Sequence, residues 1–120
     1  MLNLDTHMVV HAFAGALTAD EQRILSADTW GISAIVLWEL EMFHRLGRIS
    51  EDPELDPFAK ALSHVAILPI TREVVRCLRK LDFRSDPADE LIAATSLATG
   101  VRLVTRDRKL RASKAVPLAR

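Results

Sequence analysis

The sequence predicts an α/β domain built on a central, largely parallel β-sheet flanked by α-helices. Two observations carry this reading. Short apolar runs alternate along the chain with longer segments whose apolar residues recur at helical period, the pattern of strands joined by helical crossovers. The chain also has 120 residues, 49% apolar and 27% charged, which suits one globular domain spanning residues 1–120 around one hydrophobic core.

The elements follow in order. Leu2 to Leu4 reads as a short buried strand ending at Asp5. From His7, the residues Met8, Val9, Ala12 and Phe13 mark a helix that Gly15 stops, and Thr18 or Asp20 can open another. Trp30 to Ile32 is the second strand. Ser33 stands where an N-cap belongs, before a helix expected to run to about Leu46 and end at Gly47. The polar, proline-broken stretch Asp52 to Pro57 is a turn region between helices. Val65 to Leu68 is a third strand closed by Pro69, and Thr71 caps a helix carrying Val74, Val75, Leu78 and Leu81. Asp86-Pro87 starts a further helix, with proline at its first position, and Gly100 stops it. Val101 to Val104 is the last strand, followed by a polar loop, Thr105-Arg106-Asp107-Arg108. The order is βα(α)βααβααβ.

Charge and cysteine content narrow the setting. The 16 basic and 16 acidic residues cancel, so any nucleic-acid binding must come from local clusters. Cys77 has no partner for an internal disulfide and reads as a small buried side chain, which fits a reducing compartment. The start, Met1 to Asp5, lacks the basic flank and apolar run of a signal peptide, and no apolar stretch approaches membrane-spanning length. The expectation is a cytoplasmic protein with no membrane partner.

Four carboxylates stand out. Asp5 and Asp107 follow strands, and open α/β sheets bind ligands beyond the carboxyl ends of their strands. Glu39 shares helical spacing with Ile35, Trp38, Met42 and Leu46, which places it on an apolar, core-facing stripe. Asp89 precedes Ile92, Ala93, Ser96 and Leu97 at the edge of another buried face, although its place three residues after Asp86 also suits a capping box. Asp5 has a comparable rival role as a helix N-cap, and Asp86 reads as a cap rather than a ligand. Buried carboxylates need a cationic partner, and several together raise one another's pKa unless a hard cation neutralises them. All-oxygen ligation points to Mg²⁺, with Mn²⁺ as its substitute, whereas the histidines His7, His11, His44 and His64 lack the spacing of a zinc site.

The stretches Leu4-Asp5-Thr6-His7, Ile32-Ser33 with Leu37-Trp38-Glu39-Leu40, Asp86-Pro87-Ala88-Asp89-Glu90-Leu91-Ile92-Ala93-Ala94 and Leu103-Val104-Thr105-Arg106-Asp107 together resemble the PIN-domain family. Within it they are most similar to the VapC toxins of toxin-antitoxin pairs. The resemblance implies the PIN-like three-layer α/β/α fold and a metal-dependent endoribonuclease. Its catalytic metal site would be formed by Asp5, Glu39, Asp89 and Asp107, with Thr6, Ser33 and Thr105 as polar supports behind them. The chain departs from relatives that place a histidine upstream of the Asp-Pro-x-Asp motif and an arginine after it, since Arg84 and Glu90 stand there.

An in-line hydrolysis of RNA by a metal-activated water follows from that reading, with Arg84, Arg106 and Arg108 as candidate phosphate contacts and Lys109 and Arg111 nearby. The resemblance also implies an antitoxin protein as partner. Met8, Phe13 and Leu17 offer either a homodimer face or ordinary core packing. Two other classes compete: a non-catalytic module that kept the fold, and a metal-dependent DNA nuclease or phosphatase. Metal titration separates the first from a ribonuclease, and a substrate panel separates the second.

Overall fold

A computed structural model describes all residues, 1–120. Its strands are β1 (Leu2–Leu4), β2 (Trp30–Ser33), β3 (Ala66–Leu68) and β4 (Arg102–Val104), all parallel, in the order β3-β2-β1-β4. The helices are α1 (Thr6–Phe13), α2 (Ala19–Ser26), α3 (Ala34–Arg45), α4 (Phe58–Leu62), α5 (Arg72–Cys77), α6 (Pro87–Thr99) and a short α7 (Arg108–Arg111) after β4. They flank the sheet in the expected α/β/α layers.

The winding of the sheet positions the site. From β1 the chain lays β2 and β3 outward on one side, then returns to add β4 on the other side of β1. The carboxyl ends of β1 and β4 therefore bound a crevice at the point where the strand order reverses, the usual ligand position in open parallel sheets. Leu2, Leu4, Ile32 and Leu103 are fully buried, and they meet Met8, Val36, Leu40, Ile92 and Leu110 from the helices in one core. Strands covered on both faces need no apolar–polar alternation, which is why these read as short apolar runs.

Local chemistry sets the element ends. The hydroxyls of Ser33 and Thr71 accept the N–H groups of Ile35 and Val74, and Thr18 forms a reciprocal capping box with Glu21. Gly100 ends α6 in the left-handed conformation, φ 74°. Asn3, in the middle of β1, is completely buried; its amide donates to the Ile92 carbonyl and the Ser96 hydroxyl, pinning α6 to the sheet.

Several expectations change. The helix opened by Thr71 ends at Cys77 and tightens into a 3₁₀ turn, Leu78–Lys80, instead of continuing to Leu81. α7 stands where only a loop was expected. Met8 is fully buried, and Phe13 and Leu17 are half-buried against the core, which accounts for their spacing by ordinary packing. The exposed apolar residues of α3 are Leu37 and Trp38. No helix is long and apolar enough to cross a membrane.

Candidate functional site

Asp5 leaves the end of β1 and caps α1. Its Oδ1 accepts the backbone N–H of Met8 at 2.9 Å, and its own N–H donates to the Val104 carbonyl of β4 at 3.3 Å. Its Oδ2 accepts the hydroxyl of Thr105, so one side-chain bond spans the switch point. The cap and the site position are thus one residue's work. Asp5 is buried, and burial pushes its carboxyl pKa up; the bonds from Thr105 and Met8 oppose the rise, and the charge of Asp89 adds to it.

Glu39 reaches the same region from α3, where the Thr6 hydroxyl donates to its Oε1 at 2.5 Å. Its inward position agrees with the sequence reading, but its companions differ. Trp38 and Leu46 are 57% and 61% exposed, while Val36 and Leu40 are fully buried. α3 carries apolar side chains on nearly every face, so spacing alone leaves the phase of the stripe undetermined. Val36, Leu40 and Phe43 keep a helical period, and Glu39 lies on its flank. Burial raises the Glu39 pKa against the Thr6 bond, and the charges of Asp89 and Asp5 raise it further.

Asp89 sits in the first turn of α6, with Ile92, Ala93 and Ser96 buried behind it as their spacing requires. The capping box that competed for it does not form. Asp86 makes no side-chain cap bond, and Glu90 takes the N–H of Ser85 at 2.9 Å. Asp89 is left to accept the Ser85 hydroxyl at 3.0 Å. Burial raises its pKa, the Ser85 bond opposes, and Asp107 and Asp86 add like charge.

Asp107 is exposed and caps α7, its Oδ1 accepting the Leu110 N–H at 3.1 Å while its own N–H donates to the Thr105 hydroxyl at 3.0 Å. With Ser85, Asp86, Asp89, Arg108 and Lys109 it lines a polar depression of about 470 Å³. A more apolar cavity of about 370 Å³, between Phe13, Leu55 and Phe58, includes none of the four carboxylates.

Of the supporting groups, Thr6 and Thr105 each hold a carboxylate. Ser33 is fully buried and bonds the Ile35 N–H at 3.3 Å; its work is to start α3. Ser85 was not anticipated, and its signal was faint: a serine just before the Asp86-Pro87 helix start.

The candidate phosphate contacts divide. Arg106 is spent on Glu21, with bonds of 2.7 and 2.6 Å, and on the Ala16 carbonyl at 2.8 Å. Arg84 lines a neighbouring depression beside Glu90, while Arg108 and Lys109 line the acidic one. Arg111 braces the loop through the Thr105 carbonyl at 3.1 Å.

No lysine or arginine forms an ion pair with Asp5, Glu39, Asp89 or Asp107. Asp5, Glu39 and Asp89, all with raised pKa values, lie within electrostatic reach of one another, unpaired with any lysine or arginine, and each is held by a hydroxyl. That donor set fits a hard divalent cation, which favours oxygen ligands and retains waters. As the side chains stand, no three acidic, histidine or cysteine groups enclose a metal position.

The model of the PIN domain family matches residues 3–115. The chain is 37% identical over 99 residues to "Ribonuclease VapC22" of Mycobacterium tuberculosis (strain ATCC 25618 / H37Rv), covering 80% of this chain and 76% of that protein. Among solved structures, VapBC2 from Rickettsia felis, bound to a DNA fragment from its promoter, superposes with a TM-score of 0.75 at 20% identity over 99% of this chain and 98% of that one. A toxin-antitoxin complex from Klebsiella pneumoniae gives 0.69 at 20% identity over 93% and 91% of the two chains. These two superpositions bear on the fold.

Proposed function

The chain belongs to the PIN-domain family, and from that premise we propose that it is a Mg²⁺-dependent endoribonuclease, the toxin of a toxin-antitoxin pair. The observation that carries the reading is the group of unpaired carboxylates Asp5, Glu39 and Asp89, joined by Asp107, at the switch point of the sheet. The relative named a ribonuclease supports RNA as the substrate.

Asp5, Glu39, Asp89 and Asp107 would hold the cation, with Mn²⁺ able to replace Mg²⁺. When bound, it supplies Lewis-acid polarisation of the scissile phosphate and lowers the pKa of a coordinated water. Thr105, Thr6 and Ser85 fix the orientation of Asp5, Glu39 and Asp89 through their hydroxyls. Arg108 and Lys109, beside Asp89 and Asp107, supply positive charge for phosphates flanking the cut. Arg106 contributes by bracing its loop against Glu21. No side chain is asked to form a covalent intermediate.

An antitoxin protein and a second copy of this chain complete the proposal as partners, and the cytoplasm as its location. The similarity to toxin-antitoxin complexes supports the first. Exposed Leu37 and Trp38 on α3 offer one apolar surface for the second. Incubation of the purified protein with single-stranded RNA and Mg²⁺ tests the activity. Cleavage is expected, with loss of at least 100-fold in Asp5→Asn and Asp89→Asn, since removing one catalytic charge-stabilising group costs about that much. Full activity in both variants would defeat the reading.

A further inference from the structure

Asn3 is completely buried in the middle of β1, between β2 and β4, where an apolar side chain is expected. Its Nδ2 donates to the Ile92 carbonyl at 3.1 Å and to the Ser96 hydroxyl at 2.9 Å, and no other side-chain hydrogen bond joins a strand to α6. Its Oδ1 is buried as well and meets no donor of the protein. A buried amide left half-satisfied stabilises little, because the orphaned oxygen offsets what the two bonds contribute. Nor does the Ser96 hydroxyl depend on Asn3: Thr95 and Thr99 of the same helix bond the carbonyls four residues before them, and Ile92 offers Ser96 the same. Stability alone does not account for an asparagine here.

The register of the two bonds does. Side chains alternate along extended backbone, so Asn3 and Asp5, which continues β1 with φ −74° and ψ 170°, point to the same face of the sheet. On α6, Ile92 and Ser96 follow Asp89 at i+3 and i+7 and share its face. β1 runs toward the site, and α6, the crossover into the parallel strand β4, runs away from it. From Asn3 the strand advances about 6.6 Å to Asp5, and from the middle of the turn that Asn3 grips, α6 extends about 7.5 Å back to Asp89. The two steps end nearly level. We propose that Asn3 is a positioning residue for the cation site: its amide sets how far α6 slides along β1 and thereby holds the Asp89 carboxylate opposite Asp5. This rests on the cation reading above. Behind Asp89 the buried face of α6 is otherwise mainly apolar, with Ile92 and Ala93 in the core, and apolar contacts are non-directional. Metal ligands, by contrast, must be held to within about 0.5 Å.

The test pairs calorimetric titration of Mn²⁺ with urea denaturation in EDTA for wild type, Asn3→Val, Ser96→Ala and Thr95→Val. Valine suits a central parallel strand and leaves no orphaned amide. Asn3→Val should be at least as stable as wild type, yet bind Mn²⁺ about tenfold more weakly, a factor typical of groups that hold metal ligands in place. Its kcat for RNA cleavage should fall with KM unchanged. Ser96→Ala keeps one of the two bonds and should fall between Asn3→Val and wild type in affinity. Thr95→Val removes a buried hydroxyl bonded within α6 and should bind Mn²⁺ as wild type does. Wild-type affinity in Asn3→Val or Ser96→Ala, a clear loss of stability in Asn3→Val, or an equal loss of affinity in Thr95→Val would overturn the proposal. If wild-type protein itself binds no Mn²⁺, the cation reading has failed.

Discussion

The two oxygens of Asp5 serve different elements, Oδ1 the first turn of α1 and Oδ2 the Thr105 hydroxyl after β4. An asparagine can repeat the cap and still meet a hydroxyl, so Asp5→Asn should fold while losing the charge. The sign of its pH dependence follows from burial. Asp5, Glu39 and Asp89 all have pKa values raised above the ordinary 3.8 or 4.5, so the folded protein holds protons that the unfolded chain has already released. Their effect favours folding below the ordinary carboxylate range and is lost as pH rises through the raised values. Metal-free Asp5→Asn should therefore gain stability relative to wild type as pH rises above the ordinary carboxylate range; melting curves in EDTA over a pH series beginning there check it, and a constant gap would contradict it. At this scale the sequence was legible where a charge shared a helix face with buried residues, as for Asp89. It was opaque at Glu39's companions, because α3 is apolar on too many sides, and at Ser85, because a lone serine before a helix start has ordinary capping explanations.

Among the elements, α7 decides how Asp107 should be understood. Four residues make a weak helix, and Asp107 both starts it and faces the acidic depression. The two roles separate by substitution. Asp107→Ala should lose about 1 kcal/mol of stability with the cap, whereas Asp107→Ser should keep most of that stability, and both should cut RNA more slowly. Chemical denaturation alongside the cleavage assay measures the split; wild-type activity in Asp107→Ser would leave Asp107 a cap alone. The loop before α7 is held by Arg106, whose contact keeps the Glu21 carboxyl near a pKa of about 2. This pairing was not visible in the chain, since residues 85 positions apart show no joint periodicity. Long elements with clear punctuation were visible: Asp86-Pro87 and Gly100 bracket α6 as read, and Ser33 starts α3. α5 stopped early because the same apolar spacing serves an α-helix and the 3₁₀ turn that follows it.

Across the molecule, one topological fact gathers residues from both ends of the chain: β4 returns beside β1. Asp5 and Thr105 are brought into contact by that return, Asn3 ties α6 beneath the same strand, and α3 delivers Glu39 to α1. The sequence made the parallel sheet legible through its alternation of strands and helices, but the order of the strands came only with the fold, and with it the reason that Asp5, Glu39 and Asp89 come within electrostatic reach of one another. Such a concentration of unpaired negative charge opposes folding, and a bound cation would relieve it. The most direct measurement is calorimetric titration of Mn²⁺ into metal-free wild-type protein and into Asp5→Asn and Glu39→Gln. Saturable binding to the wild type, lost or weakened at least tenfold in both variants, is the predicted result; no binding to the wild type, or equal affinity in all three proteins, would contradict a cation centre at these carboxylates.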